Sequence, residues 1–471
     1  MVLIGWKAFC KAAYSGDTVL NPRKIRDGAA SMNRRQLLQT GGGVAGAMFW
    51  PSLLQAGTVS SDAPAKQAIV IFLQGGMSHY ESFDPKPLAP AEIRGEFGQI
   101  STRLPGVYFS EHLPRLAARA DKFNVIRSAY VDSPSHNSSI HQTLTGWSYL
   151  NANTESRNRN NLHPGIGSIV AKTCGKRVPG LPPYVTVPHS GQLGRRAYYA
   201  TAGLLGTAYE PLESGIPPEQ SDRPFSGPQN LSLHQQLSKQ RVDDRLGLLQ
   251  ALDNSKRYID VEGLGKYHRI ARKMLFQGKA GQAFDLSREP QKQRERYGNH
   301  LWGQQAILTR RLAEAGVPFT LLNFTLDQVR GQDWDTHVDS FNLLKNKLLP
   351  PMDLAVSTLL DDLEERGMLD TTLVAMFGEF GRTARIDNAA GRNHWDKVFS
   401  VMLTGGGLKS GVVVGESTWA GDLPLNRPVH FSDIVATIYR QLGVSTDEIF
   451  RDQLDRPIPV LDGGKPIAEL L

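Results

Sequence analysis

Residues 371–407 read TTLVAMFGEFGRTARIDNAAGRNHWDKVFSVMLTGGG, and this stretch constrains the fold of the chain more than any other. Two apolar runs, Thr372–Phe377 and Val398–Leu403, flank a polar loop punctuated by glycine. Short apolar runs bounded in this way predict buried strands of a mainly parallel sheet. The loop between them holds Glu379, Arg382, Arg385, Asp387, Arg392, His394 and Asp396. In an open α/β sheet, chemistry collects in loops beyond the carboxyl ends of buried strands. Partners for Glu379 and His394 must then come from other strand ends.

The rest of the chain supplies the same rhythm. Ala68–Gly76 predicts a central strand ending in a glycine turn, followed by a proline-rich loop that carries His79, Glu81 and Asp84. Glu111–Phe123 has helical spacing, and Asn124–Val131 predicts a second strand. Ser133–Gly146 reads as a loop running into a helix that stops at Gly146, His163–Gly175 as another helix, and Pro183–Pro188 as another strand. Residues 189–230 lose the rhythm and read as a long surface excursion. Residues 231–316 read as a charged helical insertion with a solvated face. Val317–Leu326 predicts a strand, Asn342–Gly367 a long amphipathic helix, Gly411–Gly415 a late strand, and Ser432–Gly443 a closing helix capped by Ser432. Alternating strands and helices predict an α/β domain, expected over 67–445 with 446–471 as a tail.

Composition narrows the function. At 471 residues the chain can bury a large core. A net charge of +7 without any Lys/Arg block excludes a nucleic-acid-binding reading. Cys10 and Cys174 are the only cysteines, which excludes a disulfide framework and a cysteine-based zinc site.

Residues 31–57 carry a twin arginine, Arg34–Arg35, then Leu37–Leu38 and a Gly/Ala-rich apolar run to Trp50. This resembles a twin-arginine export signal, with a linker to Lys66, and predicts a periplasmic or secreted protein handled by the twin-arginine export machinery. The run is too short and glycine-rich for a stable membrane span. Met32 stands directly before Asn33-Arg34-Arg35, so residues 1–31 are expected to be an extension ahead of the true start.

Two segments complete the candidate chemistry. Trp334–His337, WDTH, follows a strand and places Asp335 beside His337, with Asp333 as a competing carboxylate. A carboxylate and an imidazole so close can share a divalent ion, or the aspartate can cap the following helix. With Glu379 and His394, three strand-end loops then contribute metal-type ligands. SPSHNSSIHQTLTG places His136, Ser138, Ser139 and His141 at a helix start, where backbone N–H groups favour an anion and a hydroxyl can act as nucleophile. A Ser/His-rich cap without chemistry is the alternative.

The ordered segments Gly75–Pro87, Glu92–Phe97 (EIRGEF), Ser110–Ala117 (SEHLPRLA), Thr145-Gly146, WDTH, FGEFGRT and GRNHW resemble the family of domain of unknown function 1501. That family is placed among the sulfatase-like relatives of alkaline phosphatase. The resemblance runs from about Ile69 to Gly443 and implies a three-layer α/β/α sandwich with metal ligands at strand ends. It implies hydrolysis of a phosphate or sulfate ester, on a small-molecule or polysaccharide substrate, with Zn, Ca, Mg or Mn as cofactor. Asp335, His337 and His394 resemble one metal site and Glu379 a ligand of a second. Arg382 or Arg392 would hold an ester oxygen, His141 would help bind the substrate, and Ser138 or water would attack. Gln74 stands where the superfamily has a metal-binding Asp, so His79, Glu81 or Asp84 would substitute. His136 falls at the nucleophile position, and Phe380 where a ligand histidine is usual. No cysteine lies there to form formylglycine. A binding or scaffold protein that keeps the fold without turnover is the second expectation.

Overall fold

The computed structural model describes residues 63–148, 163–174, 180–189, 191–192, 195–196, 200–228, 279–325, 333–451 and 455–471, with a few helical residues between 240 and 248. The expected export signal and the extension before it lie outside the described residues.

The framework is a nine-stranded sheet. Its strands are β1 (Gln67–Phe72), β2 (Asn124–Tyr130), β3 (Tyr184–Val187), β4 (Leu212–Glu213), β5 (Phe319–Asn323), β6 (Thr372–Phe377), β7 (Phe399–Thr404), β8 (Val413–Val414) and β9 (Val429–His430). The spatial order is β8-β2-β7-β6-β1-β5-β3-β4, with β9 also paired to β2. At the centre, β1 runs parallel to both β5 and β6, with Val70 opposite Leu321 and Ala375. The run after Thr372–Phe377 departs from the parallel expectation. Strand β7 is antiparallel to β6 and to β2. The chain from Phe377 to Phe399 returns without a helical crossover, and such a connection brings the next strand back antiparallel.

Alternation along β1 divides the core. Ile69, Ile71 and Leu73 join a cluster with Leu308 and Leu312 of α3 (Leu301–Ala315) and Val356 and Leu359 of α4 (Leu349–Glu365). Val70 and Phe72 face Ile140 and Leu144 of α1 (His136–Thr145), Ile169 of α2 (Ile166–Cys174), and Ile434 and Ile438 of α5 (Phe431–Leu442). Helices cover both faces, so the molecule is the expected three-layer α/β/α sandwich.

Local departures have identifiable causes. The expected helix over 342–367 is continuous from Ser340, but Leu344–Leu348 opens into a π turn before α4. Pro350 and Pro351 lack the N–H groups that would close that turn. Glu111–Phe123 is not one helix: Pro114–Ala117 and Ala120–Lys122 are short turns, and the buried Asp353 carboxylate accepts the Arg115 and Leu116 N–H groups. The 231–316 region is not merely solvated. Arg310 is fully buried and paired with Glu289, Glu314 and Asp362 at 2.6, 2.6 and 2.8 Å. Ser432 does not cap α5; His430 does, its imidazole accepting the Ser432 N–H. The excursion over 189–230 adds the edge strand β4, and the tail buries Phe450, Val460, Leu461, Ile467 and Leu470 against the α1–α2–α5 face.

Candidate metal centre

The carboxyl edge of the sheet gathers four loops. Beyond β5 come Asp335 and His337, beyond β6 Glu379, and beyond β2 His136 as the first residue of α1. His394 lies before β7, in a two-residue ladder where it faces Arg382. Because β7 is antiparallel, its amino end shares the edge with the carboxyl ends of its neighbours. The reversal that departs from expectation is therefore what delivers His394 to the site.

Asp335 is the hub. Its Oδ1 lies 2.9 Å from His337 Nε2 and 3.0 Å from His394 Nε2, which are themselves 2.9 Å apart. Asp335 Oδ2 lies 3.3 Å from His136 Nε2. Side-chain exposure rises from 19% at His136 to 35% at His337, so the cluster opens to solvent on the His337 side.

Each imidazole is held from behind at its other nitrogen. His136 Nδ1 meets Glu379 Oε1 at 2.7 Å, His337 Nδ1 meets Asn393 Oδ1 at 3.1 Å, and His394 Nδ1 meets the Pro134 carbonyl at 3.0 Å. Oxygen acceptors at these positions assign the proton to Nδ1, leaving Nε2 as a lone pair. His136, His337 and His394 thus turn Nε2 toward the Asp335 carboxylate, and the set whose ligand atoms all lie within 4.8 Å of one another is His136, Asp335 and His394. Among the described residues, the buried His136 Nε2 has the Asp335 carboxylate at 3.3 Å and no hydrogen bond of good geometry. Metal–nitrogen and metal–oxygen bonds of about 2.0–2.2 Å place neighbouring ligands roughly 3 Å apart, as here. The donor set therefore fits a divalent ion.

The surroundings fix this cluster rigidly. Glu379 is wholly buried, and both its oxygens accept the Gly75 N–H, at 2.9 and 3.0 Å. Gly75 has φ +115°, and a Cβ there would lie 2.3 Å from the Asp335 nitrogen. That close approach, and the dihedral, require glycine. Gly391 is equally tight, since a Cβ would fall 1.8 Å from the His337 carbonyl oxygen. Arg382 donates to Asp335 Oδ1 at 2.8 Å and to the backbone oxygens of Gly75, Gly76, Trp334 and Arg392.

Charge follows from this geometry. Burial works to raise the Asp335 carboxyl, but His136, His394 and Arg382 hold it far below the usual carboxylate range. Burial pulls the His136 imidazole down, and the Asp335 and Glu379 carboxylates outweigh it, raising it from 6.5 to about 9. His394 is lowered, chiefly by burial. The carboxylates that favour a proton on His136 would equally favour a cation placed between the ligands.

Asp335, His337, His394, Glu379 and His136 are brought together. Their roles differ from the expectation at two positions. Glu379 stands behind His136 and not among the converging atoms, and His136 joins Asp335 and His394 as the third member of the ligand cluster. Arg382 is wholly buried and occupied by protein acceptors, so it orients Asp335 and does not face a substrate. Arg392 is likewise enclosed. Its guanidinium meets Glu81 through Nε and Nη2, and the carbonyls of Ile93, Thr383 and Ala384, with Tyr80 stacked at 4.2 Å. Asp84 is engaged by Lys86, Arg127 and Ser417, and Glu81 by Arg392, so neither replaces a metal-binding Asp after β1. His141 Nε2 pairs with His163 at 3.1 Å. Ser138 is buried, and among the described residues no hydrogen bond joins it to the cluster. Sequence reasoning missed Asn393 and Pro134, although Asn393 adjoins His394 and Pro134 lies two residues before His136.

Fold and site together define a three-layer α/β/α protein with a histidine–aspartate metal-type centre at the carboxyl edge of its sheet. The chain belongs to the family described as "Protein of unknown function (DUF1501)", whose model matches residues 65–471. No curated protein matches the sequence. Similar solved structures include Ps i-CgsB in complex with k-i-k-neocarrahexaose, at 12% identity, covering 80% of this chain and 72% of that one, with a TM-score of 0.39. The lipoteichoic acid synthase LtaP from Listeria monocytogenes is 9% identical, covers 83% and 76%, and has a TM-score of 0.36. A protein in the alkaline phosphatase superfamily from Vibrio parahaemolyticus is 10% identical, covers 81% and 69%, and has a TM-score of 0.38. Among the described residues, no helix is long and apolar enough to cross a membrane.

Proposed function

We propose that this protein is an exported, metal-dependent hydrolase of phosphate or sulfate esters that works without a serine or formylglycine nucleophile. The observation that carries this reading is the convergence of His136, His337 and His394 Nε2 on the Asp335 carboxylate, each ring backed at Nδ1 by an oxygen. A bound divalent ion supplies Lewis acidity toward an ester oxygen and acidifies water. The chain's own residues do the rest. Asp335 and the imidazoles would hold the ion, Glu379 and Arg382 fix the orientation of His136 and Asp335, and the open His337 side would admit the substrate. His136 occupies the first position of α1, where the resemblance expects a nucleophile, and Ser138 is not joined to the cluster. Water is therefore the attacking group. Arg34–Arg35 supports export to the periplasm or medium through the twin-arginine machinery.

Purified protein should contain metal at a stoichiometry near that of one ion per chain and hydrolyse 4-nitrophenyl phosphate or sulfate, with both lost in His337→Ala and His394→Ala. Metal-free protein without turnover, and with an intact fold, overturns the proposal. One observation favours a second reading, a non-catalytic binding protein: Arg382 and Arg392 are both taken up by protein acceptors, leaving neither for the ester anion. Metal content without turnover on either ester supports that reading.

A further inference from the structure

Phe380 is wholly buried and follows Glu379, the carboxylate that backs His136. Its ring lies against two of the candidate centre's imidazoles. Ring centroids are 4.5 Å apart for Phe380 and His394 and 5.0 Å for Phe380 and His136, with interplanar angles of 32° and 43°. His136 and His394 meet each other at 4.3 Å and 72°, so the three rings close a triangle. The Gly76 backbone also packs on the phenyl ring, so closely that a Cβ there would fall 2.6 Å from Phe380 Cδ2. That leaves the ring little room to move. Among the described residues, His337 makes its ring contact with His394, at 4.7 Å, and none with Phe380.

A single hydrogen bond at Nδ1 leaves an imidazole able to rock about that contact through its χ1 and χ2 torsions. The bonds from His136 to Glu379 and from His394 to the Pro134 carbonyl therefore place these rings without fully fixing their planes. An aromatic ring against both removes that freedom, and an imidazole made more positive by a bound cation is attracted to the π system. A buried apolar side chain also offers no ligand atom and leaves no space for water on its side of the cluster. Exposure runs the same way, at 19% for His136 and 24% for His394 against 35% for His337. We propose that Phe380 is a positioning residue of the centre. It fixes the planes of His136 and His394 together and seals their side of a bound ion from water, leaving exchange with solvent to the His337 side. This rests on the metal-centre part of the hydrolase reading and holds whether or not an ester is turned over.

The test loads the full chain, Phe380→Leu and Phe380→Ala with zinc and with cobalt(II). Competition with a chromophoric chelator gives the affinity, and the visible absorption of the cobalt form, which weakens as water raises the coordination number, reports the seal. Leucine keeps the wall but has no flat face, so Phe380→Leu should bind about tenfold more weakly than the wild type with band intensity retained. Alanine removes both, so Phe380→Ala should bind more weakly still and show weakened bands. Wild-type affinity in Phe380→Leu overturns the proposal, and so do unweakened bands in a folded Phe380→Ala. Should Phe380→Ala fail to fold, the affinity of Phe380→Leu decides. A merely structural Phe380 would lower the urea midpoint of the metal-free protein and leave affinity and spectrum unchanged, which also overturns the proposal. The two readings fail separately. Phe380-dependent metal binding without turnover of either aryl ester removes the hydrolase and keeps the positioning role, whereas metal-dependent hydrolysis with affinity indifferent to Phe380 removes only that role. A wild type that binds neither ion removes both.

Discussion

The Glu379 carboxylate lies 2.7 Å from His136 Nδ1, although 243 positions separate the two residues in the chain. Glu379 sits wholly inside the protein and turns the imidazole so that Nε2 points at Asp335. A carboxylate behind a ligand histidine fixes the tautomer and raises the basicity of the ligand.

Glu379→Gln should therefore lower metal affinity by about 10- to 100-fold while leaving the fold intact. Competition against a chromophoric chelator measures this. An affinity equal to that of the wild type would show that Glu379 does not orient His136.

Gly75→Ala places a methyl group against the Asp335 backbone nitrogen at a φ of +115°. The strain should cost about 2–4 kcal/mol and shift Asp335 away from the histidines. Urea unfolding should show the lower stability, and metal titration the loss of affinity. Both changes are expected together, because one contact causes them.

Arg392 and Glu81 form a buried ion pair at 2.7 Å, each side chain about 1% exposed. Glu81→Gln leaves the guanidinium inside without its counter-charge, and should destabilise the protein by about 3–5 kcal/mol. A rise in KM or a fall in kcat without a fall in the unfolding midpoint would contradict this structural role for Arg392.

Acid should destabilise the protein through two buried histidines. Burial lowers the His79 and His300 imidazoles from 6.5 to about 4. Both stay neutral in the native state while the unfolded chain takes up protons below pH 6.5. Their contribution is present in full above pH 6.5 and is lost as pH falls from 6.5 toward about 4, by on the order of 2–3 kcal/mol for each group. His300→Asn keeps a side-chain acceptor for the Gly303 N–H that His300 Nδ1 now accepts at 3.1 Å. Its urea midpoint should fall less between pH 7 and pH 5 than that of the wild type; an equal fall would remove His300 as a cause.

Much of the fold was legible because local pattern and burial coincide. The runs at Ala68–Gly76, Asn124–Val131 and Thr372–Phe377 became β1, β2 and β6, and Gly146 ends α1 in the left-handed conformation. The π turn before Pro350 and the cap at His430 were less legible, because each depends on which backbone groups the tertiary contacts leave without partners. The charges near Arg310 misled for a related reason. Nothing local distinguishes a solvated arginine from one enclosed by Glu289 and Asp362, which lies 52 residues away along the chain.

The sequence by itself determined that Asp335, His337, Glu379 and His394 lie at strand ends, since strand ends follow from apolar runs and the glycines that stop them. Only the tertiary structure decided what each residue does there. A buried arginine is indistinguishable from a substrate-facing one until its acceptors are counted, and Arg382 and Arg392 have theirs in the protein. Likewise the antiparallel return of β7 set His394 against Asp335, and the packing of α1 put His136 between Asp335 and Glu379. These are relations between residues far apart in the chain, fixed by hydrogen bonds and close packing that no local pattern encodes.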